Sequence, residues 1–267
     1  MSKFGFIGAG NMGGALATAL SKKINGDRVL ISDINHEKAE ILCKELGATV
    51  SSNEQIAKEA KFIILAVKPQ FMANMLDEIS QILKERNDSF ILVSIAAGLS
   101  TEKIRNMSKG EFPIIRVMPN TPAFIGEGML LFTHTDNVKT DDINEFLDAM
   151  ENAGKWDKIP ENLIDAASAL SGCGPAFVYI FIEALADGAV KCGLPRDKAL
   201  KYAAQTVKGS AKMVEKTDKH PELLKDEVCS PGGSTIAGVS ALENGSFRAN
   251  CINAVSKAYN KTLELGK

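Results

Sequence analysis

The sequence predicts an α/β fold in two parts. An N-terminal Rossmann-like domain with a mostly parallel, doubly wound sheet comes first, and an all-α C-terminal dimerisation domain follows. Three observations carry this. Short apolar, β-rich runs alternate with amphipathic helical patterns over the first 160 residues, the signature of βαβ units with helices on both sheet faces. A glycine triplet, Gly8, Gly10 and Gly13, follows the first of those runs. From about Asn162 the texture changes to Ala-rich segments with helical spacing. The expected domains are therefore residues 1–161 and 162–267.

Strands are expected at 4–8, 29–32, 62–67, 90–95, 114–118 and 129–132. The early ones are continuous apolar runs such as Phe62-Ile63-Ile64-Leu65, as required when both faces of a sheet are covered. Between them the 3.6-residue period predicts helices at 13–21, 37–46, 71–83 and 101–107. The second part reads as helices at 176–192, 197–214, 235–242 and 247–265, punctuated by Gly193-Leu194-Pro195 and Ser230-Pro231-Gly232-Gly233. No internal repeat, low-complexity tract or flexible linker separates the parts. Residues 166–182 are uncharged for 17 positions and contain Gly172, Gly174 and Pro175. That run is shorter than the roughly 20 apolar residues of a membrane span, and predicts a helix buried on all sides, in the core or an oligomer interface. No membrane association is expected.

Composition narrows the function classes. Hydrophobic residues are 45% and charged residues 24%, which excludes disorder as the main character. Lys+Arg number 31 against 33 Asp+Glu, a net charge of -2, so no basic excess supports nucleic-acid binding. Cys43, Cys173, Cys192, Cys229 and Cys251 include no CxxC pair, which argues against a disulfide framework and for a reducing, cytoplasmic compartment. His36, His134 and His220 lack ligand spacing, and no metal site is expected. The opening MSKFGFIGAG has no basic region before a cleavable apolar run, and reads as a strand.

Gly8-Ala9-Gly10-Asn11-Met12-Gly13 lies between an apolar strand and an Ala/Leu-rich helix, the context a dinucleotide fingerprint requires. Gly8 permits the sharp turn, Gly10 lets a pyrophosphate approach the backbone, and Gly13 lets helix and strand pack closely. Free amides at the helix N-terminus then favour the phosphates. Asp33 ends the second strand twenty residues past Gly13. A carboxylate there accepts ribose hydroxyls and repels a 2′-phosphate, which favours NADH; the nearby cations His36 and Lys38 leave NADPH disfavoured rather than excluded. Further breaks follow successive strands: Ala66-Val67-Lys68-Pro69, Ala96-Ala97-Gly98 and Met118-Pro119-Asn120. In a parallel sheet these share one edge and predict a nicotinamide cleft, where Asn120 has the donor and acceptor for a carboxamide or ribose contact. Ser230-Pro231-Gly232-Gly233-Ser234-Thr235 precedes a helix starting near Ile236. Two readings are open there: free amides receiving a carboxylate, or ordinary capping by Ser234 or Thr235.

Over essentially its whole length the chain resembles pyrroline-5-carboxylate reductase. The resemblance is carried by FIGAGNMGGAL, LAVKPQ, RVMPNTPA, LSGCGPAFVYIFIEALADGAV, GLPRDKAL and above all SPGGSTIAGVSALENGSFR. It implies NAD(P)H-dependent reduction of Δ1-pyrroline-5-carboxylate to L-proline, the last step of proline biosynthesis. It also implies a homodimer joined through the helical domain, with further assembly of dimers. The cofactor positions it implies are Gly8, Gly10, Asn11, Met12, Gly13, Ala66, Val67, Lys68, Pro69, Ala97 and Asn120, to which the spacing adds Asp33. Ser230, Gly232, Gly233 and Ser234 are implied around the substrate carboxylate, with Thr235 toward the ring nitrogen as the catalytic contact. The sequence departs from the family where the common SGSGPAY reads Ser-Gly-Cys-Gly-Pro-Ala-Phe and where many members carry Asn-Arg against this chain's Asp33-Ile34. Glu183 and Asp187, an i,i+4 carboxylate pair, could offset iminium charge or make ordinary polar contacts. The alternatives are a related Rossmann-fold hydroxyacid dehydrogenase, whose catalytic lysine finds no supporting motif around Lys191, Lys198 or Lys201, another cyclic-imine reductase, and a nucleotide-binding sensor without turnover.

Overall fold

The computed structural model describes residues 2–265. Eight strands, β1 (Phe4–Ile7), β2 (Val29–Ser32), β3 (Thr49–Val50), β4 (Phe62–Leu65), β5 (Ile91–Ser94), β6 (Ile114–Met118), β7 (Gly128–His134) and β8 (Gly154–Lys158), form one sheet. Their order is β3-β2-β1-β4-β5-β6-β7-β8. Every neighbouring pair is parallel except β6 with β7. Helices α1 (Asn11–Ser21), α2 (His36–Leu46), α3 (Asn53–Glu59), α4 (Pro69–Glu85), α5 (Thr101–Ser108), α6 (Thr140–Ala149) and α7 (Glu161–Ser171) accompany it.

Strand alternation builds two cores from one sheet. Phe62 and Ile64 join Phe4, Phe6, Leu16 and Phe146 in one cluster, while Ile63 and Leu65 join Ile7, Leu76, Ile79 and Leu92 in another. An apolar run without polar interruption is what such two-sided burial demands. Among residues 2–158, the elements absent from the sequence reading are those lacking this signal. β3 has two residues, both exposed. β8 is GKWDK, a charged strand at the sheet edge, where charge discourages pairing with another chain. α3 has only seven residues, and α6 opens on Thr140-Asp141-Asp142.

Contacts divide the chain into two compact units: one runs through Cys173 and takes in the chain from Ala258, and the other is Gly174–Lys257. The second unit carries α8 (Gly174–Lys191), α9 (Arg196–Thr217), α10 (Pro221–Val228), α11 (Ser234–Asn244) and most of α12 (Phe247–Leu265). α8 and α9 pack as a hairpin on the small residues Ala186, Ala199 and Ala203, with Ile182, Val190 and Leu194 against them. Asp187 pairs with Arg196 across this hairpin. Little else is covered. Tyr179 is 60% exposed, Ile180 67% and Ile252 65%.

One expectation changes here. Residues 166–182 do not form one helix: α7 ends at Ser171 and α8 begins at Gly174, and only 11% of the most apolar part of Glu161–Lys191 is buried, so the core of a single copy does not cover it. Periodicity reports which residues are apolar, and does not report what covers them. Glu161–Lys191 as a whole also reaches membrane-spanning length and hydropathy, although the uncharged run within it is shorter.

Candidate active site

The turns after β1, β4, β5 and β6 lie on one edge because those strands are mutually parallel. β1 pairs with β2 on one side and β4 on the other, so the chain reverses its winding at β1. Such a switch point leaves a crevice at the carboxyl edge.

Each glycine of the first turn has a different steric reason. Gly8 has φ +113°, and a Cβ there would lie 2.6 Å from the Ala66 carbonyl oxygen. A Cβ on Gly13 would lie 2.3 Å from the Gly8 oxygen and 2.9 Å from the Ala66 Cβ. Those two glycines let the β1 and β4 turns touch. Gly10 is the opposite case, with nothing within 4 Å of its Cβ position. That open space is the approach a pyrophosphate needs. Gly10 is also the N-cap of α1, without a side-chain cap, so the first-turn amides of Asn11, Met12 and Gly13 are available to an anion. The residues fit a dinucleotide. A cavity of about 240 Å³ continues from Gly10 and Asn11 between α1 and α2, reaching Lys38 and Leu42, with Phe124 on its wall.

Asp33 braces this turn from the end of β2. Its Oδ2 accepts the Ala9 amide at 2.7 Å and its Oδ1 accepts the Asn35 amide at 2.8 Å. Carboxylate oxygens accept more than one hydrogen bond each, so ribose hydroxyls still have acceptors. Ile34 beside it is fully exposed. Ser32 and Asn53, which the sequence reading passed over, meet here: the Ser32 hydroxyl donates to Asn53 Oδ1 at 2.5 Å. Asn53 became legible only with β3, although Ser51-Ser52-Asn53 is a helix-start pattern in which Ser52 caps α3.

Ala66 and Val67 lie just past β4, Lys68 is the exposed N-cap of α4, and Pro69 is its first residue. Ala97 is exposed after β5, before Gly98 at φ +74°. Asn120 follows β6 and is only 7% exposed. Its Nδ2 donates to the Ser171 carbonyl at 2.9 Å, and its Oδ1 accepts the Met129 amide at 3.0 Å. The fold thus gathers Gly8, Gly10, Asn11, Met12, Gly13, Asp33, Ala66, Val67, Lys68, Pro69, Ala97 and Asn120 at one sheet edge.

In the second unit, α11 starts at Ser234, two residues before the expected Ile236, which makes Thr235 its second residue. The N-cap is Gly233, and no side chain caps the helix. Of the two readings left open by the sequence, hydroxyl capping by Ser234 or Thr235 is therefore absent. Gly232 has φ +67°, a left-handed turn suited to glycine, and the Gly233 amide bonds back to the Ser230 carbonyl at 3.0 Å. The amides that open α11 are left for an anion, with the half-buried Thr235 hydroxyl beside them. Asp187 belongs to the α8–α9 hairpin through Arg196.

A glycine-cradled Rossmann crevice in one unit, with an uncapped SPGGST helix start in the other, defines the class: a dinucleotide-dependent oxidoreductase with a separate helical domain. The family model described as pyrroline-5-carboxylate reductase dimerisation matches residues 161–265, and that described as NADP oxidoreductase coenzyme F420-dependent matches residues 3–98. Pyrroline-5-carboxylate reductase of Arabidopsis thaliana is 41% identical over 99% of this chain and 96% of its own length. That of Escherichia coli (strain K12) is 40% identical over 99% and 98%. The crystal structure of Plasmodium falciparum pyrroline carboxylate reductase with NADP bound superposes with a TM-score of 0.90, at 37% identity, covering 100% of this chain and 98% of that one. The chain belongs to the pyrroline-5-carboxylate reductase family.

Proposed function

We propose that the chain reduces Δ1-pyrroline-5-carboxylate to L-proline with NAD(P)H, the closing step of proline biosynthesis. The observation that carries this is the uncapped Ser230–Thr235 helix start in a chain that also holds an open Gly10 cradle. Hydroxyacid dehydrogenases and other cyclic-imine reductases share the cradle; the SPGGST loop separates this reading from them.

The bound dinucleotide supplies the hydride, and the protein orients the partners. The Gly8–Gly13 turn and the α1 amides hold the pyrophosphate, Asp33 faces the adenosine ribose, and Ala66–Pro69 and Ala97 form the nicotinamide side, while the Asn120 carboxamide is engaged at both ends by protein. Ser230, Gly232, Gly233 and Ser234 hold the substrate carboxylate at the start of α11. Thr235 hydrogen-bonds the ring nitrogen and orients the imine. It is not a strong proton source, since a hydroxyl is too weak an acid at neutral pH; the imine arrives as iminium. Residues 1–161 make the nucleotide domain and 162–267 the helical one, a boundary supported by the dimerisation match beginning at residue 161, whereas by contacts α7 and the chain from Ala258 group with the first unit.

The uncovered apolar faces of α8, α9 and α12 meet a second copy in a homodimer, and dimers assemble further. This reading takes up the apolar Glu161–Lys191 stretch without a membrane. Five free cysteines suit the cytoplasm. The test is the loss of reduced-nicotinamide absorbance when Δ1-pyrroline-5-carboxylate is added, with 2- and 3-keto acids as controls. Turnover with a keto acid and none with the imine would transfer the chain to the dehydrogenase reading.

A further inference from the structure

We infer that Asn120 is a positioning residue, fixing the end of α7 to the nicotinamide side of the cleft and acting on hydride transfer through that end. The inference rests on the reductase reading and deepens it. Asn120 is buried, and both ends of its carboxamide are bound by protein. The Ser171 carbonyl it holds is among the last four of α7, which have no partner within the helix. The Met129 amide it accepts lies beyond the last β6–β7 pair, Met118 with Leu131. One side chain therefore ties the close of the β6–β7 ladder to the close of a helix.

α7 is anchored elsewhere along its length. Arg116, 2% exposed, donates to Asp165 at 2.6 Å and to Glu161 at 3.3 Å. Glu161 also accepts both the amide and the hydroxyl of Thr101, which opens α5. Ile164 is buried with Met118 and Leu131. The start and middle of α7 are thus docked independently of Asn120, whose tie governs the end. That end is where the chain leaves the first unit, at Cys173. The Ser171 hydroxyl there is buried and finds no hydrogen-bond partner among the described residues. Releasing the Ser171 carbonyl would shift this hydroxyl and the chain that follows while leaving the glycine cradle intact.

The experiment uses the full chain with Asn120→Ala and Asn120→Asp. Asn120→Asp keeps an acceptor for the Met129 amide and loses the donor to Ser171, so it serves if the alanine variant fails to fold. Three quantities are read: Kd for NADPH from its fluorescence, kcat and KM for the imine, and melting temperature. The expected result is a kcat lower by about ten- to a hundredfold, the scale on which small misplacements act, with the NADPH Kd within about twofold. A Kd that weakens in step with kcat/KM would overturn the inference and make Asn120 a direct dinucleotide contact. A lowered melting temperature with normal kcat would reduce it to a stabilising residue and overturn it equally. An unaltered chain that binds NADPH but leaves the imine untouched overturns the reductase reading instead, and with it the role given to Asn120.

Discussion

At the residue scale, the same amino acid is required for unlike reasons within six positions. Gly8 and Gly13 are fixed by the Ala66 backbone and side chain against them, whereas Gly10 faces open space, which the proposed function gives to the pyrophosphate. A Cβ at Gly8 meets both a positive φ and a carbonyl 2.6 Å away. Gly8→Ala should therefore destabilise the fold by more than the usual 0.5–3 kcal/mol of a point change, or about 3 kcal/mol or more, measured by urea denaturation. Asp33 makes a second case. Its bonds to the Ala9 and Asn35 amides brace the turn, and on the proposed function its charge opposes a 2′-phosphate, with Ile34 and no arginine beside it. The expected outcome is a higher kcat/KM with NADH than with NADPH, reversed by Asp33→Ala with Ile34→Arg. Clear NADPH preference in the unaltered chain would remove Asp33 as the determinant. The glycine pattern and Asp33 were legible because spacing alone encodes them; the protein-facing carboxamide of Asn120 was not, because its partners are 51 and 9 residues away.

Among the elements, legibility followed burial on two faces. β1, β4, β5 and β6 are uninterrupted apolar runs and stood out, whereas β3 and β8 are exposed or charged and did not. Capping decided the functional end of α11, since only the structure shows that Gly233 leaves its amides uncapped. Arg86 illustrates a tie between elements that periodicity cannot reveal. Its guanidinium donates to the Ala57 and Ala60 carbonyls at the end of α3, at 2.8 and 2.7 Å, and lies 4.7 Å from the Phe90 ring centroid. Arg86→Ala should cost about 1.5–3 kcal/mol of stability, the worth of charged hydrogen bonds, seen as a lower urea midpoint. The α6 contact carries a pH signature. Burial would raise the Glu145 carboxyl, but bonds from Lys61, at 2.7 Å, and Ser2 outweigh it and hold it below its usual 4.5. A depressed carboxylate stabilises above its unfolded pKa, and that contribution is lost as pH falls through the folded value. Glu145→Gln should therefore narrow the melting-temperature difference between about pH 6 and pH 3. An unchanged difference would show that the Lys61 contact adds nothing to acid stability.

For the whole molecule, the two units differ in how they bury surface. The first has a sheet with a core on each face; the second has three buried alanines and long apolar helix faces open to solvent. Patches of that extent mark an interface, and Ile180→Asp should convert the proposed dimer to a monomer in sedimentation, with loss of activity. A dimer that persists would put the interface elsewhere. On the proposed function the first unit takes the dinucleotide and the second the imine, and one paired measurement reaches that claim most directly: NADH Kd and imine kcat/KM on Gly10→Val and Thr235→Ala. Gly10→Val should abolish dinucleotide binding by filling the open approach. Thr235→Ala should lower kcat/KM about 10- to 150-fold, the loss of one hydrogen bond to a charged group, with the NADH Kd unmoved. A Thr235→Ala protein that keeps normal kcat/KM, or one that loses NADH as Gly10→Val does, would contradict the account.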